Sequence, residues 1–119
     1  MEEDLLQHRP REASFDLVAV LYLQVPPDER RLVLARAAAA VSAGGTLLVV
    51  GHDLANLTEG HGGPKDPAIL LTPGVVAAEL PGLVIERAER VRRPVTVDEG
   101  MAEAVDTLVR ARRPGLPGG

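Results

Sequence analysis

The fold of this chain is decided by residues 15–53, which read FDLVAVLYL (Phe15–Leu23), QVPPDERRLVLARAAAAVSA (24–43) and GGTLLVVGHD (Gly44–Asp53). The first and last pieces are short, apolar and rich in Val and Leu, which is typical of strands buried on both faces. The middle piece has the composition of a helix. A strand, a helix and a strand with tight connections predict a right-handed crossover between two parallel strands, the βαβ unit.

The helix of this unit is predicted to begin at Pro26-Pro27 and to end at Gly44. Proline fixes φ near the helical value and has no backbone N–H. At the first helical position this N–H would have no partner within the helix, so its loss costs nothing. Glycine readily takes the left-handed conformation that follows a helix. The apolar stripe consists of Leu34, Ala37, Ala38 and Val41, and the arginines at 30, 31 and 36 lie largely away from it.

Composition excludes several classes of function. The chain has 119 residues, 45% of them hydrophobic, which is enough for one small domain. It contains no cysteine, so disulfide and thiolate chemistry are excluded. The net charge is −4 and no basic cluster is interleaved with aromatics, which argues against nucleic acid as a partner. Neither a signal peptide nor an apolar run of ~20 residues is present, so no membrane span is predicted and a cytoplasmic protein is expected.

Two terminal segments flank the predicted domain of residues 15–113. Residues 1–14 are charged and read as an N-terminal arm, and residues 114–119 read as a disordered tail. Within the domain, residues 54–71 form a long loop rich in turn formers, which is typical of a substrate-facing lid. Its His61 and Asp66 have no metal-ligand spacing with His52, and no metal site is predicted.

The second half of the domain is predicted to hold a helix and two strands. Thr72-Pro73 is an N-cap followed by proline, which predicts a helix to about Leu80. Residues 83–91 read as an exposed or edge strand. Residues 101–112 fit both a helical and an alternating pattern, so these residues alone leave helix and strand open.

Chemically suggestive residues collect where the two strands of the βαβ unit end, the side on which open parallel sheets bind ligands. His52 titrates near neutral pH and could act as a general base there, with Asp53 beside it. Adjacent residues of an extended segment point in opposite directions, so Asp53 need not orient His52. The alternative is that both side chains satisfy backbone groups of the loop.

The same stretch resembles a known family. Phe-Asp-Leu-Val at 15–18, Leu-Tyr-Leu-Gln-Val-Pro-Pro at 21–27, and an Arg/Ala-rich helix running into Ser-Ala-Gly-Gly-Thr-Leu-Leu-Val-Val are similar to the fourth and fifth strands of class I S-adenosylmethionine-dependent methyltransferases that act on small molecules. The resemblance continues through Gly62-Gly-Pro-Lys-Asp-Pro67. The family's glycine-rich loop and the acidic residue ending its second strand, which are its main cofactor contacts, have no counterpart in this sequence.

The resemblance implies an α/β fold: a partial Rossmann-like open sheet of about four strands, ending in an antiparallel hairpin and lacking the N-terminal cofactor-binding half. It therefore favours a short turn or helix near 98–104 and a strand from about Val105. It implies a methyltransferase that uses S-adenosylmethionine, with Leu21 and Tyr22 at the positions that line the cofactor. A fragment of this kind is expected to be inactive alone and to bind the cofactor weakly or not at all.

The alternative function is a non-catalytic interaction module. Without the family's first strand, one edge of the strand at Phe15–Leu23 should lack a partner, and this edge carries no charge except Asp16. Uncharged apolar edges template pairing with another chain. We therefore expect a homodimer, a complementing N-terminal half, or coverage of the edge by residues 1–14.

Overall fold

The computed structural model describes residues 15–60, 62–97 and 100–115. The predicted arm, His61, the start of the predicted 98–104 helix and most of the predicted tail lie outside these residues. The described elements, in chain order, are β1 (Phe15–Leu21), α1 (Pro27–Ala40), β2 (Val41–His52), the single turn α2 (Asn56–Glu59), a 3-10 turn (Pro67–Ile69), α3 (Pro73–Ala78), β3 (Val84–Val97) and β4 (Gly100–Arg112). No helix among these elements has the length and apolar character to cross a bilayer.

The four strands form one open sheet in the order β1-β2-β4-β3. β1 and β2 are parallel, with Leu17 opposite Thr46 and Leu21 opposite Val50, so the predicted βαβ unit is confirmed. β4 lies antiparallel between β2 and β3, and it forms the expected terminal hairpin with β3. The predicted partial Rossmann-like sheet is therefore confirmed.

Helix α1 begins as predicted and ends earlier than predicted. Pro26 is the N-cap and Pro27 the first helical residue. The helix ends at Ala40 because the next residue, Val41, already pairs with β1 and has extended backbone. Gly44 does have positive φ (78°), but it lies within β2, where the pairing register shifts, and it is not the helix terminus.

The long loop is partly ordered by short helical turns, and α3 follows it as predicted. Thr72 caps α3, since its hydroxyl accepts a hydrogen bond from the N–H of Val75 at 3.2 Å. α3 ends at Ala78, two residues before the predicted end. Its first turn contains no acidic residue, and the Thr72 hydroxyl supplies an acceptor for one of the N–H groups that have no partner within the helix.

The C-terminal hairpin is longer than the sequence indicated. β3 continues to Val97, and β4 begins at Gly100. The predicted short turn or helix near 98–104 is therefore wrong over residues 100–104, which belong to β4. These residues pair with β3 from Val97–Gly100 through Arg93–Ala104, so ladder hydrogen bonds take the backbone groups that a helix would use.

The hydrophobic core lies on one face of the sheet. α1 and α3 cover this face, and Leu34, Ala37 and Val76 are almost completely buried against it. Leu34, Ala37 and Ala38 of the predicted stripe are buried in α1, whereas Val41 is buried as part of β2. Arg30, predicted to lie away from the stripe, is also buried, because its guanidinium pairs with Glu79. On the opposite face, no described helix covers the sheet, and Leu17 and Leu21 remain 56% and 44% exposed. The strand residues that complete the core are Val18, Val20, Leu47, Val49, Val109 and Ala111.

Candidate functional site

Leu21, Tyr22 and His52, three of the four predicted site residues, lie at the carboxyl ends of β1 and β2. Leu21 is the last residue of β1, and Tyr22 follows it with a φ of 53°, a left-handed conformation that is uncommon outside glycine. This conformation turns the chain sharply at the strand end. His52 is the last residue of β2 and its ring centroid lies 5.0 Å from that of Tyr22.

A buried carboxylate on β4 is the centre of this cluster. Asp106 lies directly opposite His52 in the β2–β4 ladder, and its side chain is only 3% exposed. Its Oδ2 accepts hydrogen bonds from the Tyr22 hydroxyl at 2.9 Å and from Nε of Arg93 at 3.0 Å. The Arg93 guanidinium also lies 5.7 Å from the centroid of the Tyr22 ring. Four strands therefore contribute to one site, which we call the carboxyl-end cluster: Tyr22, His52, Arg93 and Asp106.

The electrostatics of the cluster follow from this carboxylate. Burial raises the pKa of the Tyr22 hydroxyl, and its hydrogen bond to the negative Asp106 raises it further. The hydrogen bond to Asp106 likewise raises the pKa of Arg93. Both groups are therefore held protonated as donors to Oδ2, and the carboxylate is fixed in position.

His52 approaches the other oxygen of the same carboxylate. Its Nδ1 lies 4.0 Å from Asp106 Oδ1, which is too long for a hydrogen bond. Both atoms are buried, and neither has a partner among the described residues. The His52 side chain keeps 17% of its surface exposed, and this exposed part does not include Nδ1.

Asp53 lies apart from His52, although the two are adjacent in sequence. Its side chain is completely buried and accepts hydrogen bonds from the Ala55 N–H, from Nε of Arg90 and from the Thr107 hydroxyl. These partners account for its carboxylate without any contact to His52. The geometry gives Asp53 a structural position. The catalytic roles predicted for His52 and Asp53 stay predictions, and the role of His52 does not depend on a contact with Asp53.

A glycine-rich loop is held over His52 by a buried amide. Asn56 accepts a hydrogen bond from the N–H of Val105 and donates one to the carbonyl of Gly62, both at 2.8 Å. Gly63 follows with a φ of 77°, and a Cβ at this position would lie 3.2 Å from His52 Nδ1. The backbone at Gly63 therefore closes the Nδ1 side of the imidazole.

The cluster offers proton-transfer chemistry, with an imidazole, a carboxylate, a phenol and a guanidinium. The residues described contain no group of three or more His, Cys, Asp or Glu side chains that could hold a metal ion. For S-adenosylmethionine the fit is partial. Leu21 and Tyr22 present accessible surface at the end of β1, but Tyr22 already donates its hydroxyl to Asp106.

Sequence reasoning missed Asn56, Arg93 and Asp106. For Asp106 a signal was present, because it is an acidic residue within the apolar run AVDTLV (104–109). A buried charge in a strand usually has a dedicated partner. For Arg93 the sequence shows only a charged strand, and its role depends on a pairing register that is not visible in the sequence.

Comparison with solved structures shows which proteins share this fold. A SAM-dependent methyltransferase from Methanosarcina mazei has a TM-score of 0.66 at 13% identity, over 96% of this chain and 66% of that one. The N-methyltransferase NodS from Bradyrhizobium japonicum, in complex with S-adenosyl-L-homocysteine, has a TM-score of 0.62 at 21% identity, over 94% and 52%. The [4+2]-cyclase SpnF has a TM-score of 0.61 at 11% identity, over 96% and 55%. Neither protein-family models nor curated protein sequences gave a match.

These similarities establish the fold. The chain has part of the class I S-adenosylmethionine-dependent methyltransferase fold, as its sequence resemblance implied, and it spans about half to two thirds of the length of these structures. At such identities the likeness does not determine the reaction. SpnF, a cyclase by description, shares the fold with the methyltransferases.

Proposed function

We propose that this chain forms the acceptor-side part of an S-adenosylmethionine-dependent methyltransferase that acts on a small molecule. The observation that carries the proposal is the carboxyl-end cluster, in which Tyr22, His52 and Asp106 meet where β1 and β2 end. Open α/β sheets bind their ligands at this end. Methyltransferases are among the structures with the same fold, and one of them was solved with the cofactor product.

The cluster supports a division of roles among its residues. The cofactor would lie near Leu21 and Tyr22, and when bound it supplies the methyl group. His52 lies at the adjacent strand end and keeps part of its ring accessible, so it can meet an acceptor. Methyl transfer is an in-line displacement in which positioning supplies most of the rate enhancement. The enclosing loop at Gly62-Gly63 contributes by excluding water from the imidazole.

The proposal includes a requirement for a complementing N-terminal half, supplied by a further segment or a partner polypeptide. The sequence has no glycine-rich loop to bring backbone amides to the cofactor and no acidic residue for its ribose. Each such buried hydrogen bond is worth ~1–3 kcal/mol, so losing several lowers affinity by orders of magnitude. We expect this chain alone to be inactive and to bind the cofactor weakly or not at all.

Calorimetric titration with S-adenosylmethionine and S-adenosylhomocysteine tests this proposal. The chain alone should give no measurable heat at micromolar concentrations, and the chain with its complementing half should bind and release S-adenosylhomocysteine in the presence of an acceptor. A low-micromolar dissociation constant for the chain alone would contradict the requirement for a second half. If the complemented protein bound neither compound, the methyltransferase proposal would be wrong.

A second candidate, an interaction module, is favoured by the free edge of β1. Among the described residues, β1 has β2 as its only neighbour. The N–H of Tyr22 bonds to Val50 in β2, so alternation directs the backbone groups of Leu17, Ala19 and Leu21 outward. An antiparallel copy centred on Ala19 would pair Leu17 with Leu21 of the second chain and would satisfy all of these groups.

Sedimentation equilibrium distinguishes this candidate. Val18 and Val20 face the core, so a lysine there would disrupt folding, whereas Leu17 is 56% exposed and tolerates one. If the chain is an interaction module, we expect the wild type to be a dimer and the Leu17→Lys variant to be a monomer. Leu32→Lys is the matched control, because Leu32 is also exposed (43%) but belongs to α1 and not to the β1 edge strand. A monomer at tens of micromolar that remains a monomer after deletion of residues 1–14 would contradict it.

A further inference from the structure

Two buried polar atoms of the carboxyl-end cluster face each other without hydrogen bonds. His52 Nδ1 and Asp106 Oδ1 are 4.0 Å apart and have no partner within the described ranges. Buried polar atoms in proteins nearly always have a partner, so this pair requires an explanation. Catalytic hydrogen bonds are often long in ligand-free structures and shorten when the substrate binds. A closure of about 1 Å would satisfy both atoms at once.

We propose that Asp106 positions His52 as the general base of the proposed methyltransferase, and that the methyl acceptor is a phenolic or enolic hydroxyl. Asp106 accepts a hydrogen bond from Nδ1–H of His52, which leaves Nε2 unprotonated. Nε2 then takes the proton of the acceptor. This inference rests on the proposed function for its reaction, and on the geometry of this chain for the His52–Asp106 pair.

The surroundings of Asp106 leave only its Oδ1 to accept a hydrogen bond from Nδ1–H of His52. Tyr22 and Arg93 both donate to Oδ2, so the carboxylate cannot rotate without breaking two hydrogen bonds. Oδ1 therefore stays directed towards His52. These are the charged and titratable groups that β1, β3 and β4 bring to the imidazole, and Gly63 closes the same side from the loop. Because Nδ1 is buried, the exposed 17% of the His52 side chain lies elsewhere, and we assign contact with the acceptor to Nε2.

The chemistry of the base selects the acceptor. Imidazole has a pKa of about 6.5 and a phenol about 10, a gap that a positioned base can bridge. A thiol, at about 8.5, ionises without such help. An aliphatic hydroxyl, whose pKa lies close to that of bulk water, is too weakly acidic. A protonated amine would bring a second positive charge beside Arg93.

The step balances with S-adenosylmethionine as the only co-reactant. The hydroxyl proton moves to Nε2 of His52, and the oxygen electron pair forms a bond to the methyl carbon. The bond from that carbon to sulfur breaks, and its electron pair stays on sulfur as S-adenosylhomocysteine. The imidazolium then releases its proton to solvent. Asp106 keeps the hydrogen bond from Nδ1–H throughout the step.

The first test needs no cofactor and uses the 119-residue chain. Long-range ¹H–¹⁵N NMR reports which imidazole nitrogen carries the proton, and His52→Gln assigns the signal among the three histidines. We expect the Nδ1–H tautomer in the wild type. Asp106→Asn should convert it to the Nε2–H tautomer, because the amide can donate to Nδ1. Asp66→Asn is the matched control and should change nothing, because this exposed carboxylate accepts its hydrogen bond from the Ala68 N–H, far along the chain from His52.

An Nε2–H tautomer in the wild type, or an Nδ1–H tautomer that Asp106→Asn leaves unchanged, would overturn the inference.

The second test measures the complemented enzyme with a phenol and with an amine acceptor. His52→Gln should lower kcat for the phenol about 10²–10⁴-fold with little change in KM, and should remove the dependence of the rate on the basic form of the imidazole. A wild-type rate in this variant, or a preference for the amine, would overturn the inference while leaving methyl transfer intact. Complete absence of methyl transfer by the wild type would refute the proposed function. The tautomer measurement would then still test whether Asp106 determines which nitrogen of His52 carries the proton.

Discussion

Replacement of Asp53 by alanine should destabilise the protein strongly, because this carboxylate holds three segments together. It is completely buried, and its donors come from the loop (Ala55), from β3 (Arg90) and from β4 (Thr107). The substitution would remove all three hydrogen bonds at once. A catalytic aspartate, in contrast, can usually be removed without loss of stability, since active sites trade stability for function.

The magnitude follows from the burial of each donor. The Thr107 hydroxyl is fully buried, and leaving it and the Ala55 N–H without an acceptor costs ~1–3 kcal/mol each. Arg90 is 55% exposed and can be rehydrated, so its ion pair adds no more than about 1 kcal/mol. The expected loss is about 2–7 kcal/mol of the free energy of unfolding. Domains of this kind have only about 5–15 kcal/mol in total.

Urea denaturation followed by circular dichroism measures this loss, with the slope m serving as a check that unfolding stays two-state. Asp66→Ala is the matched control, because Asp66 also accepts a hydrogen bond from the N–H two residues further on, but in an exposed loop. It should cost no more than about 1 kcal/mol. If Asp53→Ala were as mild as Asp66→Ala, the structural position of Asp53 would be wrong and its predicted catalytic role would regain support.

Two further predictions concern the groups around His52. Tyr22 is the chain's single tyrosine, so ultraviolet titration reports it alone. The pKa of Tyr22 should lie above 10, and Asp106→Asn should lower it. The stability that Tyr22 contributes below pH 10 should be lost as the pH rises through its folded-state pKa. Gly63→Ala should shift the His52 NMR signals, since the new Cβ would lie 3.2 Å from Nδ1. Gly62→Ala is the control and should not shift them, because Gly62 has a similar φ of 75° but open space around its Cβ. Equal shifts in both variants would contradict the enclosure of the imidazole.

The parts of the fold that follow from local chemistry could be predicted from the sequence. Pro26-Pro27 fixed the start of α1 because proline acts on its own φ and on its missing donor, wherever the rest of the chain lies. Thr72 likewise caps α3 through a bond to Val75, three residues away. The end of α1 could not be predicted in this way. It depends on Val41 pairing with Phe15, a contact between distant positions.

The same distinction separates the predicted site residues from the missed ones. His52 could be found because the end of an apolar strand is visible in the sequence. Asp106 could not be connected with it, because the register that places them opposite each other is fixed by the whole β2–β4 ladder. A shift of one residue would turn Asp106 to the other face of the sheet. Arg93 depends on a second ladder, between β3 and β4.

The alternation of the strand explains why His52 and Asp53 differ so completely. Successive side chains at the end of β2 point to opposite faces of the sheet. Asp53 turns to the face that α1 and α3 cover, where it binds Thr107 and fixes the end of β2 against β4. His52 turns to the open face, where Asp106 lies opposite. Because Thr107 and Asp106 are neighbours in β4, the bond that anchors Asp53 also sets the distance between His52 and Asp106. The structural carboxylate of Asp53 and the positioning carboxylate of Asp106 therefore lie on opposite faces of the same pair of strands, β2 and β4, and loosening the first should misplace the second.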